Sequence, residues 1–587
     1  MDFSWWDSLA QGTAAVWGWQ ALGLIALGVL VGSVFGLLPG LGPVAAIALL
    51  LPATLGLPAL PALLLLAGVY YGAQYGGSLP AIVLDQPGEA SSVMTSRDGH
   101  PLALQGRAGV ALSVATLSSF AAGCLAIGVV VLLAPWVVSR GLEFGPAERF
   151  LLLVVGLVGA TVLASGSFLK ALAMTVLGLL LGLTGWDVQT GTARFVPEAL
   201  EPWMGRHNGL TEGVGFIALA LGFFVVAPLA AELAGLSTHA PGEPVQAPRS
   251  AEAPAGLDTR PTREELKDVL PALLRGTALG AVLGVVPGGG ALLASLAAYR
   301  LEALVSRHRV PAPGQGNLRG VAAPEAANNA GAQTAYLPLL ALGLPPNAAM
   351  ALLLGALGLH AIEPGPSVMG VQPVLFWGLL VSMWIGNLVL LLLNLPLARW
   401  WVPALLRVLR VPRRALVAGL LVACGLGALA LGPHRWGVWL VMGLGLLGFV
   451  LQRLGCEGVA LLLGYVLAPG LEEQLRRALF DMESRSGPDG VKLLPSRARV
   501  DAFMSHFHDC NQRLAADFSC DGKSLAFDQG LDKYPQTEAP DWTSEEVFAL
   551  LEGGTESRGA RGLHRREDYA PLRCVSLPRP GPEKAVI

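Results

Sequence analysis

Charge is scarce in this chain. Only 14% of its 587 residues are Asp, Glu, Lys or Arg, against about 25% in an ordinary soluble domain. The deficit falls in long apolar stretches, so the natural solvent is a lipid bilayer. A net charge of -3 argues for neither nucleic acid nor another polyanion as a partner. The N-terminal segment MDFSWWDSLAQ carries Asp2 and Asp7 but no Lys or Arg, so the basic head of a cleavable secretory signal is missing. Cysteine is also sparse. Cys124, Cys424 and Cys456 sit in or beside apolar stretches, and Cys510, Cys520 and Cys574 lie in a polar tail; no disulfide framework is evident. There is no G-x-S-x-G elbow, no H-E-x-x-H pair and no Walker A loop. His506, His508, Cys510 and Cys520 match no standard zinc spacing. These absences lead us to expect no enzyme activity, no bound metal and no organic cofactor.

Glycine and proline, by contrast, are plentiful in apolar surroundings, at 74 and 42 residues. Both are tolerated in membrane helices, which they break where the gap lines a protein-enclosed cavity. Apolar stretches between residues 18 and 469 predict about 10–12 crossings, at roughly 20 residues each. Two Pro-containing pieces, 76–86 and 330–345, are too short to span. Trp5, Trp6, Trp17 and Trp19 read as interfacial anchors, and the basic loops at 300–319 and 399–414 read as cytoplasmic. The expected fold is an all-α polytopic membrane bundle with discontinuous helices. It comprises a first membrane repeat (1–236), a Pro/Ala-rich polar linker (237–270), a second membrane repeat (271–477) and a soluble or disordered extension (478–587). Thr262 and Glu265 form a capping-box pattern that predicts a helix start.

The most informative pattern is a duplication. Gly36-Leu37-Leu38-Pro39-Gly40-Leu41-Gly42-Pro43 and Gly284-Val285-Val286-Pro287-Gly288-Gly289-Gly290-Ala291 both read G-x-x-P-G-x-G-small, 248 positions apart. Downstream, Pro80 and Pro87 match Pro338 and Pro345 at a separation of 258. Pro lacks an N–H and clashes with the preceding turn, and Gly admits unusual backbone angles. Together they leave backbone polar groups unpaired, which is costly in hydrocarbon unless the gap lines a cavity or binds a ligand. Interrupted helices at corresponding positions of two halves point to a transporter's substrate site. The competing reading is a pair of tight-packing kinks.

The expected substrate-binding residues are accordingly Pro39, Gly40, Gly42, Gly76, Gly77, Ser78, Pro287, Gly288, Gly290, Asn328 and Asn329. Half-helix N-termini, hydroxyls and amides supply donors to an anion without Lys or Arg at the breaks. Asp85, Glu89 and Glu325 are the candidates for holding a coupling ion, Na⁺ or H⁺.

At these residues the chain resembles the TctA-type large membrane subunit of tripartite tricarboxylate transporters. The matching stretches are GLLPGLGPVAAIALLLP (36–52), YYGAQYGGSLPAIVLDQPGEASSVMTSRDGHPLALQGRAG (70–109), GVVPGGGA (284–291), PEAANNAGAQTAYLPLLALGLPPNAAMALLLGAL (324–357) and PGP (364–366). The resemblance covers roughly residues 10–480. It implies a multi-pass protein of the bacterial inner membrane that imports a small carboxylate by ion-coupled symport. A periplasmic solute-binding protein (TctC-like) and a small membrane subunit (TctB-like) are the implied partners. Asp85 stands where the family usually has Asn, and the tail has no counterpart in the family pattern. Two rivals compete: a membrane sensor or scaffold with the tail as output domain, and a membrane enzyme built on Asp85 and Glu89.

Overall fold

The computed structural model describes residues 5–38, 40–163, 167–186, 193–195, 213–235, 260–408, 411–431 and 436–485. Backbone contacts divide the chain into Met1–Asp481 and Met482–Ile587, and the description below concerns the first unit. The extension beyond 485, most of the linker, Pro39 and the four tail residues weighed as zinc ligands lie outside the described residues.

Helix α1 (Trp5–Val16) precedes the first repeat. That repeat runs through α2 (Trp19–Leu37), α3 (Gly42–Thr54), α4 (Ala59–Gly76), the half-helix α5 (Ser78–Leu84), α6 (Val93–Leu104) and α7 (Ala108–Glu143). Next come α8 (Pro146–Leu163), α9 (Phe168–Gly182), a short antiparallel pair β1 (Gly185–Trp186) and β2 (Ala193–Arg194), and α10 (Phe216–Leu233). The second repeat comprises α11 (Arg263–Leu283), α12 (Gly290–Val305), α13 (Leu318–Thr334), the half-helix α14 (Tyr336–Leu342), α15 (Ala348–Leu359) and α16 (Pro373–Asn394). The chain continues through α17 (Ala398–Val408), α18 (Arg413–Leu429), α19 (Trp436–Arg453) and α20 (Gly458–Arg485).

The duplication is present in the backbone. The two P-G-x-G loops share left-handed glycines, with φ of 87° at Gly40 and 56° at Gly42 against 79° at Gly288 and 46° at Gly290. Both half-helices end in a left-handed residue, Asp85 (φ 55°) and Gly343 (φ 72°). The closing hydrogen bonds also correspond: Gln86 N–H to Pro80 O at 3.2 Å, and Leu344 N–H to Pro338 O at 3.0 Å.

Each repeat is held by a glycine face. A methyl group at Gly28, Gly32 or Gly36 would lie within 2.3 Å of the carbonyl of Leu65, Val69 or Ala73 on α4. At Gly276, Gly280 and Gly284 the obstructing carbonyls are those of Ala323, Ala327 and Gly331 on α13, at 2.2–2.4 Å. Glycine at every fourth residue lets the two backbones touch, which is how helices associate without a hydrophobic drive between them. The helices so gripped, α4 and α13, are the most enclosed in this unit. Every residue from Ala62 to Gly76 and from Arg319 to Thr334 is buried.

Several expectations need correction. Among the described residues four helices are long and apolar enough to cross a membrane, α2, α7, α10 and α16, and a bent 400–408/413–429 pair makes up to five. The count of about 10–12 is not reached on this criterion because helices such as α3, α9 and α15 are short, while α13 is polar. The 330–345 piece is really the end of α13 plus all of α14. Hydropathy missed α13 because its small and polar side chains face protein, not lipid. The linker ends early: α11 starts at Arg263, with the expected Thr262–Glu265 capping box. Trp5 is not a simple interfacial anchor, since it stacks on Trp377 with centroids 5.9 Å apart.

One buried acid ties the repeats together at the basic loop. Asp98 on α6 is fully buried. It accepts the backbone N–H groups of Gly314, Gly316 and Asn317 at 2.7–3.0 Å and the Tyr299 hydroxyl at 3.0 Å.

Candidate functional site

Helix α4 passes into α5 at Gly77, and α13 passes into α14 at Ala335, with helical backbone angles at both joints. Three residues on, Pro80 and Pro338 remove a donor from the ladder and keep each half-helix from continuing α4 or α13 as a regular span. Gly77 is needed for proximity: a methyl there would lie 3.0 Å from the Glu89 Cβ and 3.1 Å from the Ser92 hydroxyl. The expected residue Gly76 serves packing, since its absent Cβ would lie 2.5 Å from the Ser33 carbonyl. The second P-G-x-G loop is tied down by Gly288 N–H donating to Pro346 O at 2.9 Å. Gly290 lies beside Asn347, and Pro287 precedes this tied turn.

Next to the first joint lies a carboxylate. Glu325 on α13 has no solvent exposure. It accepts hydrogen bonds from Ser78 Oγ at 2.7 Å, from Thr95 Oγ1, and from Ser119 Oγ at 3.2 Å. All three donors belong to the first repeat and the carboxylate to the second, so the cluster joins the halves. Among the described residues no Lys or Arg forms an ion pair with Glu325. Asn329, one turn further along α13, donates to Ser119 Oγ at 2.8 Å and to the Glu325 carbonyl at 3.1 Å. An isolated charge in a low-dielectric interior is costly, and hydroxyl donors compensate only part of that cost.

The other predicted acids are placed differently. Glu89 flanks the same joint: Ser91 Oγ donates to its Oε1 at 2.9 Å, while its Oε2 is buried without a hydrogen-bond partner. Asp85 is exposed at the C-cap of α5 and is not part of this cluster. Its left-handed φ corresponds to Gly343 in the other repeat, a position that favours Gly and Asn. Both side-chain atoms of Asn328 are buried and unpaired. Tyr71 on α4 and Tyr336 on α14 pack with ring centroids 5.9 Å apart, and both hydroxyls are buried.

Sequence reasoning missed Thr116, Ser119, Gln333 and Asn387. Two signals were legible. Glu325, Asn329 and Gln333 recur every fourth residue and so share one helix face, and Asn387 interrupts a strongly apolar helix, which marks a functional candidate in a membrane.

The sequence profile of the tripartite tricarboxylate transporter TctA family matches residues 22–463. The chain belongs to this family. The matched span contains both P-G-x-G loops, both half-helices and Glu325, so the site just described lies within the TctA-family region. Two proteins of Agrobacterium vitis are similar to it. One, described as an uncharacterized 52.8 kDa protein in the TAR-I ttuC' 3' region, is 45% identical over 453 residues, 77% of this chain and 86% of that protein. The other, an uncharacterized protein in the TAR-II ttuC' 3' region, is 49% identical over 201 residues, 34% of this chain and 81% of that protein. No solved structure matches.

Proposed function

We propose that this TctA-family protein is the large permease subunit of a binding-protein-dependent secondary transporter. It imports tricarboxylates or related small organic carboxylates across the bacterial inner membrane, driven by an ion gradient. A TctC-like periplasmic binding protein delivers the substrate, and a TctB-like small membrane subunit completes the complex. The carboxylate binds between the two repeats against neutral donors and the broken-helix backbone, and alternating access exposes that site to each side in turn.

The observation that carries the reading is Glu325. A buried carboxylate on an enclosed helix of one repeat, held among the described residues by hydroxyls of the other, supports coupling a cation to movement between the repeats. Family membership supports the transport class. The test is uptake of radiolabelled citrate and a panel of di-, tri- and aromatic carboxylates into cells expressing all three subunits, with and without Na⁺ and pH gradients. Accumulation that collapses with the gradient is expected. No accumulation of any panel member, with all components present in the membrane and periplasm, overturns the reading.

A further inference from the structure

The Glu325 cluster does not end at Ser119 and Asn329. Glu325, Asn329 and Gln333 occupy successive turns of α13, about 12 Å from first to last. Ser119 and Thr116 on α7 and Asn387 on α16 face this stripe. Gln333 Nε2 donates to Asn387 Oδ1 at 3.4 Å, and the Tyr75 and Thr116 hydroxyls bond each other. Beside Ser119, Asn329 and Asn387 is a small cavity, on the order of one water molecule, which the apolar Phe120, Leu390 and Leu391 also line.

Two features mark this file as more than packing. Asn387 and Gln333 are 3% and 1% exposed, yet Asn387 Nδ2 and Gln333 Oε1 have no hydrogen-bond partner. Buried polar atoms left unpaired call for a ligand or water: the Gln333 Oε1 can face a cation directly, whereas the Asn387 N–H is a donor and is served by a water oxygen. The fold also makes room for them: Gly123 on α7 stands where a methyl would lie 2.7 Å from Asn387 Nδ2.

We propose that the file from Glu325 through Ser119 and Asn329 to Asn387 and Gln333 is the site and access path of a monovalent coupling cation, Na⁺ or a hydrated proton. The donor set is a carboxylate, hydroxyls and amide oxygens, the hard oxygen chemistry such cations take. An anionic substrate is disfavoured here, because Glu325 would repel it in a low dielectric.

The inference rests on the carrier reading, and one experiment separates the two. The three-subunit complex is reconstituted in proteoliposomes, and gradient-driven accumulation and counterflow are measured for a carboxylate that the wild type exchanges. A Na⁺ gradient at constant pH and a pH gradient at constant Na⁺ form separate arms, and the arm that drives uptake names the cation. In Glu325→Gln and Asn387→Leu the ratio of accumulation to counterflow should fall about tenfold or more, as loss of a charge-assisted bond predicts. Asn387→Gln, which keeps the amide, should stay nearer the wild type than Asn387→Leu. A wild-type ratio in both variants overturns the proposal. So does an equal fall in accumulation and counterflow, which would assign the file to substrate binding or to folding. A wild type with no counterflow of any panel carboxylate sinks the carrier reading, and this inference with it.

Discussion

Asp85 and Asp98 show how little an acid's position in sequence says about its work. Asp85 occupies a left-handed C-cap whose counterpart is Gly343. Asp85→Gly should therefore leave uptake near wild type and change stability by no more than about 1 kcal/mol, the scale of left-handed strain; transport and thermal melting check both parts. Asp98 drew no attention as a loop-like charge, yet it collects three backbone donors from the opposite repeat. Asp98→Ala would strand those N–H groups and should cost about 3 kcal/mol or more, read as a lower melting temperature and faster proteolysis around residues 306–317. Glu325 was legible as a membrane acid, but its partners were not. Ser78, Thr95 and Ser119 are separated from it by more than 200 positions, and only folding brings the hydroxyls to it.

Among helices, the glycine faces decide the architecture. Gly32 and Gly280 occupy equivalent places in the two repeats, each against a backbone carbonyl closer than any Cβ tolerates. Gly280→Ala must push α11 off α13 and should destabilise by about 1–3 kcal/mol, as overpacking does. Because α13 carries Glu325, the same variant should lower gradient-driven uptake. Thermal unfolding in detergent and the transport assay test the two effects separately. The P-G-x-G duplication was visible in the chain and survives in the structure, whereas the role of the glycine period emerges only from the packing. Helix α13 itself escaped a hydropathy reading. A helix enclosed by other helices need not be apolar, so its residues Glu325, Asn328, Asn329 and Gln333 look like loop sequence until the packing is known.

At the level of the molecule, two repeats meet across α4, α7 and α13, and each lends groups to the other's cluster. Relative movement of the repeats would then change the surroundings of Glu325 directly, which is the requirement for coupling. Removing residues 486–587 should leave uptake intact, since every group invoked in transport lies before Asn394; a sensor with the tail as its output would lose its response instead. Uptake and output measured on that truncation distinguish the two.

The membrane class, the all-α bundle, the duplication and the family all follow from local properties of the chain: apolar length, Gly and Pro placement, and motif spacing. These need no knowledge of what lies beside what. The burial of α13, the exposure of Asp85 and the file from Glu325 to Asn387 depend on contacts between residues far apart in sequence. A carboxylate reads the same in either setting. Whether it serves as a helix cap, a latch or a cation site is decided by the donors that folding brings within 3 Å of it.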